Sequence, residues 1–217
     1  MYWACVYSEL FFIEFVIWLR YNVLMSTFKN NITAKRIAIL ATKNERLFHI
    51  KDLANLWNIQ NKNTLRVTLK RYADEKLIYR IYRGFYSLSP IRDIDPILLG
   101  VKALHGFCYL STETVLYHSG YISQVIDYNT FVSSKSLSFT IGETNFKSRQ
   151  LSDKYLYNPD GISMVNEVLT ATPERAICDM LYFNSNYNFD KPVDWEKIRS
   201  MQKKIQYPLT PHRYVAT

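Results

Sequence analysis

Apolar side chains recur at helical spacing three times in the first part of the chain and then switch to strict alternation. The helical stretches are AKRIAILATKN, which Thr33 can cap, then KDLANLWN, and a third helix that starts at Asn63 or just before it. A short extended segment, Phe48–Ile50, precedes the second helix. After Lys76 the sequence LIYRIY alternates, Arg83-Gly84 supplies a turn, and FYSL returns, which together predict a β-hairpin.

The third helix separates its apolar and basic side chains onto different faces. Its predicted buried stripe consists of Leu65, Leu69, Tyr72 and Leu77. Lys62, Arg66 and Lys70 are spaced by four residues and lie on another face. Three short helices followed by a hairpin predict a winged helix-turn-helix, in which the third helix enters the major groove of DNA and the wing contacts the backbone or the minor groove.

The candidate DNA-binding residues are the polar and basic side chains of the third helix and the wing. They are Lys62, Asn63, Thr64, Arg66, Thr68, Lys70, Arg71, Arg80 and Arg83. The two elements are adjacent in sequence because this fold makes them one continuous surface. The sequence therefore predicts a single binding surface for double-stranded DNA.

Side-chain chemistry suggests a role for each candidate. Asn63 and Arg66 can form paired hydrogen bonds with the edges of adenine and guanine. The two lysines of the third helix and Arg71 are better suited to phosphates, which position the protein without specifying sequence. The two threonines of the helix can contact either group. Arg83 lies at the hairpin tip next to a glycine and is the best candidate for insertion into the minor groove.

The excess of positive over negative charge lies entirely in this segment. The 217 residues contain 27 Lys and Arg and 19 Asp and Glu, which gives a net charge of +8. Residues 31–90 contain 12 basic and 4 acidic side chains, whereas residues 91–217 contain 13 of each. A basic module joined to a neutral one predicts an acidic partner for the first module only, and nucleic acid is one such partner. The alternative is a winged helix that contacts protein and has a merely solvated basic face.

The second half predicts a mixed α+β domain. Helices are expected over 97–106, from Ser111 to Gly120, over 172–183 with Thr172 as its cap, and over 194–204. Strands are expected over 129–134, 138–142, 144–151 and 163–171. The predicted fold class is α+β, with a winged helix-turn-helix over 31–90, an α+β domain over 91–217 and an extension over 1–30.

The second half contains no motif that predicts catalysis, a cofactor or a metal site. It has no glycine-rich phosphate loop, no HExxH and no GxSxG. His105 and His118 lack a Cys, His or Asp at ligand spacing. Asp160 and Glu167 resemble part of a metal-dependent nuclease pattern, but Leu169 occupies the position where that pattern needs a lysine. We therefore expect no enzyme, no cofactor and no metal.

The N-terminal extension and the cysteines provide evidence about the cellular compartment of the protein. The segment LFFIEFVIWL is too short for a transmembrane helix and contains a glutamate, and the N-terminus lacks the basic start of a signal peptide. Residues 1–24 either precede a natural start at Met25 or form an extra helix packed on the core. The cysteines, Cys5, Cys108 and Cys178, form no CxxC pair, which indicates a reducing compartment and no disulfide framework.

Several motifs recur together in the order of a known family. They are YLSTETVLYHSGYIS, NTFVSS, SFTIG, TNFKSRQL and TATPERAICDMLYF. With the winged helix before them, they resemble the AbiEi family, the antitoxins of type IV abortive-infection toxin–antitoxin systems. The matching positions are Tyr109, Leu110, Ser111, His118, Ser119, Gly120, Phe146 and residues 171–182. The resemblance runs from about residue 30 to at least 185. Cys178 departs from it, since the family usually has an aliphatic residue there.

The resemblance implies a function for each half. The N-terminal module would bind inverted repeats upstream of its own operon and repress it, with two copies on one operator. The C-terminal module would neutralise an AbiEii-like toxin, a nucleotidyltransferase-like protein, without forming a stable complex. Such a protein would act in the bacterial cytoplasm during phage defence. The alternative is an orphan winged-helix transcriptional regulator without a toxin partner.

Overall fold

The computed structural model describes residues 31–43 and 45–209. The predicted extension over 1–30, with the two interpretations of residues 1–24, lies outside the described residues. The described chain is α+β, as predicted. Contacts divide the chain into two compact units, with the boundary between Ser89 and Pro90. None of the helices in the described ranges is long and apolar enough to cross a membrane.

The first unit consists of short helices and one small sheet. Its helices are α1, of which residues 31–41 are described, α2 over Ile50–Leu56 and α3 over Lys62–Asp74. Its strands are β1 over Leu47–His49, β2 over Tyr79–Tyr82 and β3 over Phe85–Ser87. Among the described residues these strands form an antiparallel sheet in the order β1-β3-β2. The predicted β2–β3 hairpin is present, and β1 adds a strand where only an extended segment was expected.

The core of this unit follows the predicted stripe of α3 with one correction. Leu65, Leu69 and Tyr72 are buried, as predicted. Leu77 was predicted to complete the stripe, but its side chain is 36% exposed and Ile78, at 2%, takes its place. The reason is that α3 ends at Asp74 and Lys76 has φ of 56°, which turns the chain and reverses the direction of the next side chains.

A second correction concerns Thr33, which was predicted to cap the first helix. Thr33 lies inside the helical residues 31–41, so it is not a cap in this structure. Its hydroxyl oxygen accepts a hydrogen bond of 3.2 Å from the hydroxyl of the buried Tyr72. The indole N–H of Trp57 donates to the Arg36 carbonyl at 3.1 Å. These two bonds hold α1 against α3 and the end of α2.

The second unit is built on a larger mixed sheet. Its strands are β4 over Cys108–Leu110, β5 over Tyr128–Ser133, β6 over Leu137–Ile141, β7 over Thr144–Gln150, β8 over Ile162–Val165 and β9 over Val168–Ala171. Within residues 90–209 they form a six-stranded sheet in the order β6-β7-β5-β4-β9-β8. The β5–β7 and β4–β9 pairs are parallel and the other neighbours are antiparallel.

The second unit also contains five α-helices within the described residues. They are α4 over Pro96–Leu104, α5 over Glu113–His118, α6 over Asp153–Leu156, α7 over Pro173–Phe183 and α8 over Trp195–Ile205, with a short 3-10 turn at Ile91–Asp93. Gly100 of α4 lies directly on the aromatic rings of the sheet, because a Cβ added there would come within 2.8 Å of both Phe131 and Phe146. The absence of a side chain at Gly100 therefore lets α4 approach the sheet closely.

Two predictions in this unit were wrong. Ser111 does not cap a helix, because its hydroxyl donates to the buried Asp179 carboxylate and α5 begins only at Glu113. Residues 163–171 are not one strand but the β8–β9 hairpin. Its turn residues, Asn166 and Glu167, have φ of 47° and 67°, the left-handed conformation that a tight hairpin turn needs.

The two C-terminal helices form largely where the sequence predicts them. The Thr172 hydroxyl accepts from the Arg175 N–H and caps α7, and Pro173 occupies the first helical position, where no N–H is needed. The predicted buried face of Ala176, Ile177, Met180 and Leu181 is confirmed. Asp194 caps α8 through the Lys197 N–H.

Candidate nucleic-acid interface

The start of α3 is set by a side-chain cap. The Asn61 side-chain oxygen accepts hydrogen bonds from the backbone N–H groups of Asn63 and Thr64, at 2.9 and 3.0 Å. These donors would otherwise have no partner in the first helical turn. The helix therefore begins at Lys62, which places all predicted contacts of the third helix on regular helical backbone.

The exposed side of α3 carries the predicted base-contacting residues. We define the outer face of α3 as Asn63, Arg66, Val67 and Lys70, all of which are exposed. On a helix with 3.6 residues per turn, Asn63 and Lys70 differ by about 20° and Arg66 lies about 40° from Lys70. The buried Leu65 and Leu69 lie on the side that faces the core. The three polar side chains are thus brought together by the same periodicity that buries the leucines.

The charges on the outer face have no acidic partner among the described residues of the unit. In the described part of the chain, no carboxylate lies within ion-pair distance of Arg66, Lys70 or Arg83. The acidic residues of this region, Asp74 and Glu75, stand at the C-terminal end of α3, and its first turn contains none. The uncompensated positive charge of Lys62, Arg66 and Lys70 therefore lies before the last turn of the helix, where Arg71 is paired with Glu75.

Two of the predicted DNA contacts on α3 interact with other residues of the unit, one through burial and one through an ion pair. Thr68 is only 8% exposed and lies on the core side with Leu69, so its prediction as a DNA contact is wrong for this structure. The Arg71 guanidinium forms an ion pair with Glu75, Nε to Oε1 3.8 Å, and lies 5.1 Å above the Tyr72 ring. Arg71 remains exposed, but part of its charge is offset by Glu75. Lys62 and Thr64 are exposed, as a contact role requires.

The hairpin presents the other two predicted arginines to solvent. Arg80 is an exposed residue of β2, and Arg83 is exposed at the turn beside Gly84, whose φ is 88°. The Gly84 carbonyl accepts from the Ile50 N–H at 2.8 Å. The Phe85 ring stacks on His49 with ring centroids 4.5 Å apart. These contacts attach the turn to the start of α2.

The hairpin and α3 share one core. The N–H groups of Leu77 and Ile78 both donate to the Tyr72 carbonyl, at 2.9 and 3.4 Å. Ile78 and the β3 residue Tyr86 belong to the same buried cluster as Leu65 and Leu69. The outer face and the hairpin arginines are therefore carried by elements that are packed on each other.

Sequence reasoning missed one exposed residue of the outer face. Val67 is 69% exposed, although it is a large apolar side chain in the middle of α3. Its position in the sequence could have indicated its exposure, because predicted DNA contacts lie three and four residues before it and three and four residues after it. Tyr82, on the hairpin, is 40% exposed and packs on Phe85 with centroids 5.1 Å apart.

The second unit contains a buried ionic network that sequence reasoning also missed. Arg175 and Asp179 of α7 are both 0% exposed, and the Arg175 Nε donates to Asp179 Oδ1 at 3.0 Å. The hydroxyl of Tyr207 donates to the same oxygen at 2.7 Å, while those of Tyr109 and Ser111 donate to Oδ2 at 3.0 and 2.7 Å. Asp179 thus accepts four hydrogen bonds.

The guanidinium of Arg175 is equally saturated. Its Nη1 donates to the carbonyls of Asn158 and Asp160, and its Nη2 donates to the Tyr155 carbonyl and the Tyr109 hydroxyl. With the Nε bond, all five N–H donors have partners. Burial opposes the charge, but the neighbouring Asp179 carboxylate outweighs it and raises the pKa of Arg175. Because every donor has a partner, Arg175 has a structural role: it connects α7 to β4 and to the loop before β8.

A second ion pair stands at the junction of β4 and α5. Glu113 is paired with Arg149 of β7, whose Nε lies 3.4 Å from Oε2. Burial favours the neutral form, but the hydrogen bond from Arg149 outweighs it and lowers the pKa of Glu113. The preceding Thr112 is buried, with φ of 51° and ψ of −130°, a strained conformation for a β-branched residue. The junction is held by the Thr130 hydroxyl, which donates to the Ser111 carbonyl at 2.7 Å.

The described residues contain no group of three or more His, Cys, Asp or Glu side chains that could hold a metal ion. His118 is exposed at the end of α5, and His105 is the left-handed residue that follows α4. Glu167, part of the weak nuclease pattern, is exposed in the β8–β9 turn. Burial raises the pKa of the Cys108 thiol to about 12, which makes it a poor nucleophile at neutral pH.

Comparisons with known proteins add little to this picture. No protein-family model matches the chain, and no curated protein matches it at a significant level. Among solved structures, the chain is similar to the crystal structure of the RV2827C protein from Mycobacterium tuberculosis, with a TM-score of 0.49 and 9% sequence identity. The similarity covers 80% of this chain and 71% of that chain. A likeness of this degree carries no argument about function, and the resemblance to the AbiEi family stays a prediction.

Proposed function

We propose that the first unit is a winged helix-turn-helix that binds double-stranded DNA and represses transcription of its own operon. The observation that carries this proposal is the outer face of α3. Its asparagine, arginine and lysine are exposed together, and no carboxylate of the described residues pairs with the arginine or the lysine, while the leucines of the same helix are buried. Those side chains suit base edges and phosphates.

The hairpin supports the same proposal. Arg80 and Arg83 are exposed on an element that shares a core with α3 and is attached to α2 through Gly84. A winged helix needs both parts, because the helix enters the major groove while the wing contacts the adjacent backbone or minor groove. The charge excess of residues 31–90 over residues 91–217 supports an acidic partner for this unit in particular.

A reporter assay tests autorepression. The DNA upstream of this gene is fused to a reporter, and the full chain is supplied from a second plasmid. We expect the wild-type chain to lower expression and Arg66→Ala to restore most of it. Arg92→Ala, at an exposed arginine of the second unit, is the matched control and should repress like wild type. Unchanged expression with the wild-type chain would contradict autorepression, and equal repression by wild type and Arg66→Ala would contradict the role of the outer face.

We propose further that the whole chain is an AbiEi-like antitoxin that counteracts a nucleotidyltransferase-like toxin. This part is supported by the resemblance of residues 30–185 to that family. Co-expression with a nucleotidyltransferase-like gene adjacent to this one tests it: the antitoxin function predicts rescue of growth. An unrescued toxin, or a locus without such a gene, would favour the orphan regulator instead.

A further inference from the structure

Val67 is a large apolar side chain on the exposed side of α3, outside the buried cluster that the described residues of the first unit form. It is 69% exposed in the middle of α3, and its side chain has no place in the buried cluster of the first unit. A valine at a solvent-facing helix position is also less favourable than alanine, because its branched Cβ restricts the side-chain rotamers. Within the described part of the chain, neither packing in that cluster nor helix propensity therefore explains this residue.

The surroundings of Val67 point to its partner. On a helix surface, the neighbours of a residue lie three and four positions away. For Val67 they are Asn63, Thr64, Lys70 and Arg71. All four are exposed and all four are predicted DNA contacts, so the one apolar group of the outer face is bordered by polar and basic groups. The basic border gives this surface the charge of a DNA-binding surface and not that of a dry protein interface.

In the major groove of DNA the apolar group available to such a side chain is the C5-methyl of thymine. The other base-pair edges present hydrogen-bond donors and acceptors, which a valine cannot satisfy. We propose that Val67 packs against a thymine methyl and thereby selects an A·T pair within the bound DNA site. This inference rests on the proposed DNA-binding function and names one feature of the sequence that it selects.

Replacement of single thymines by deoxyuridine tests the contact directly, because it removes only the methyl group. The bound duplex is first selected from a random pool with the full chain, and each thymine is then replaced in turn. For the wild-type protein we expect the affinity to fall about fourfold at one thymine, the effect of one buried methyl group. Val67→Ala should bind the unmodified duplex several-fold more weakly and should be insensitive to the same replacement.

The control variant is Val125→Ala, which truncates a valine that is 77% exposed in the second unit. It should keep the wild-type response to every deoxyuridine. The thermal unfolding temperature of Val67→Ala should equal that of wild type or be slightly higher. This result would show that the variant binds more weakly because it lacks a contact and not because it is unfolded.

Three outcomes would overturn the inference. The first is wild-type binding that no deoxyuridine weakens, and the second is a Val67→Ala variant that keeps the wild-type response. The third is a Val67→Ala variant that loses affinity equally for selected and random duplexes, which would assign Val67 a contact other than a base. In each case selective binding itself persists and the proposed function stands. If the wild-type chain selects no duplex over random DNA, the proposed function fails and the inference fails with it.

Discussion

Arg175 and Asp179 form an ion pair one helical turn apart in which neither side chain is exposed and every donor and acceptor is used. A buried pair of this kind is costly to break, because the remaining charge stays in a poorly solvated site. Arg71 and Glu75 of α3 have the same spacing and the same pair of charges, with a glutamate in place of the aspartate, but their side chains are 42% and 50% exposed. The chain thus contains a buried pair and an exposed counterpart.

This contrast gives a stability prediction. We expect Asp179→Ala to lower the free energy of unfolding by about 3–5 kcal/mol, because Arg175 would keep a buried charge without its partner. Asp179→Asn keeps the shape and one acceptor oxygen and should cost less. Glu75→Ala should cost less than about 0.5 kcal/mol, as exposed pairs of this spacing do. Urea unfolding of the full chain measures all three, and similar losses for Asp179→Ala and Glu75→Ala would contradict the assignment.

A second prediction concerns the Glu113–Arg149 pair and pH. Because Arg149 lowers the pKa of Glu113 below its ordinary value of 4.5, the folded state favours the charged carboxylate more than the unfolded state does. The stability that the pair contributes is fully present above that ordinary value and is lost as the pH falls through the lower pKa of the folded state.

The matched measurement is unfolding of wild type and Glu113→Gln between pH 7 and pH 3. At pH 7 the variant should be less stable by about 1.5–3 kcal/mol, the usual value of a hydrogen bond to a charged group. The difference should shrink as the pH falls below 4.5. Glu143→Gln, on an exposed turn, controls for the loss of one carboxylate. A difference between wild type and Glu113→Gln that stays constant over this range would show that the pair does not shift the titration.

Arg66 is expected to contribute sequence preference. Arg66→Ala should weaken binding to the selected duplex by about 1–3 kcal/mol and should affect random DNA less, because a guanine edge is lost along with a charge. Fluorescence anisotropy with both duplexes measures the two affinities. Arg92→Ala removes an arginine whose side chain is 85% exposed in the second unit and should leave both unchanged. Equal losses on both duplexes would assign Arg66 to the phosphate backbone.

Lys70 is expected to behave differently, as a phosphate contact. Lys70→Ala should weaken binding to selected and random DNA by the same factor and lower the slope of log affinity against log salt by about one. Lys197→Ala, at a lysine that is 69% exposed on α8, is the control and should leave the slope unchanged. A loss confined to the selected duplex would give Lys70 a base contact instead.

The sequence predicted the elements of the first unit well because local signals there agree with one another. The spacing of Leu65 and Leu69 and the Arg83-Gly84 turn each act within a few residues. The errors arose where the chain changes direction. Leu77 would continue the buried stripe if α3 extended that far. The helix ends earlier, however, and the positive φ of Lys76 places Ile78 in the core instead.

The candidate site could be predicted only in part, for the same reason. Periodicity separated the outer face of α3 from its leucines, but it did not show that Thr68 falls within the buried side. In the second unit, Tyr109, Asp179 and Tyr207 are far apart in sequence and meet only through tertiary folding. The spacing of Arg175 and Asp179 on a largely apolar helix was the one local sign of that network.

The most direct test of the central claim is binding of the full chain to the DNA upstream of its gene, against random DNA of the same length, at two salt concentrations. The account predicts binding to the upstream DNA at least about 1000-fold tighter than to random DNA. It also predicts two successive shifted species and a preference that survives the higher salt. Weak binding that does not depend on sequence and is lost at the higher salt would contradict the claim. It would show that the basic surface is attracted only to the phosphate backbone.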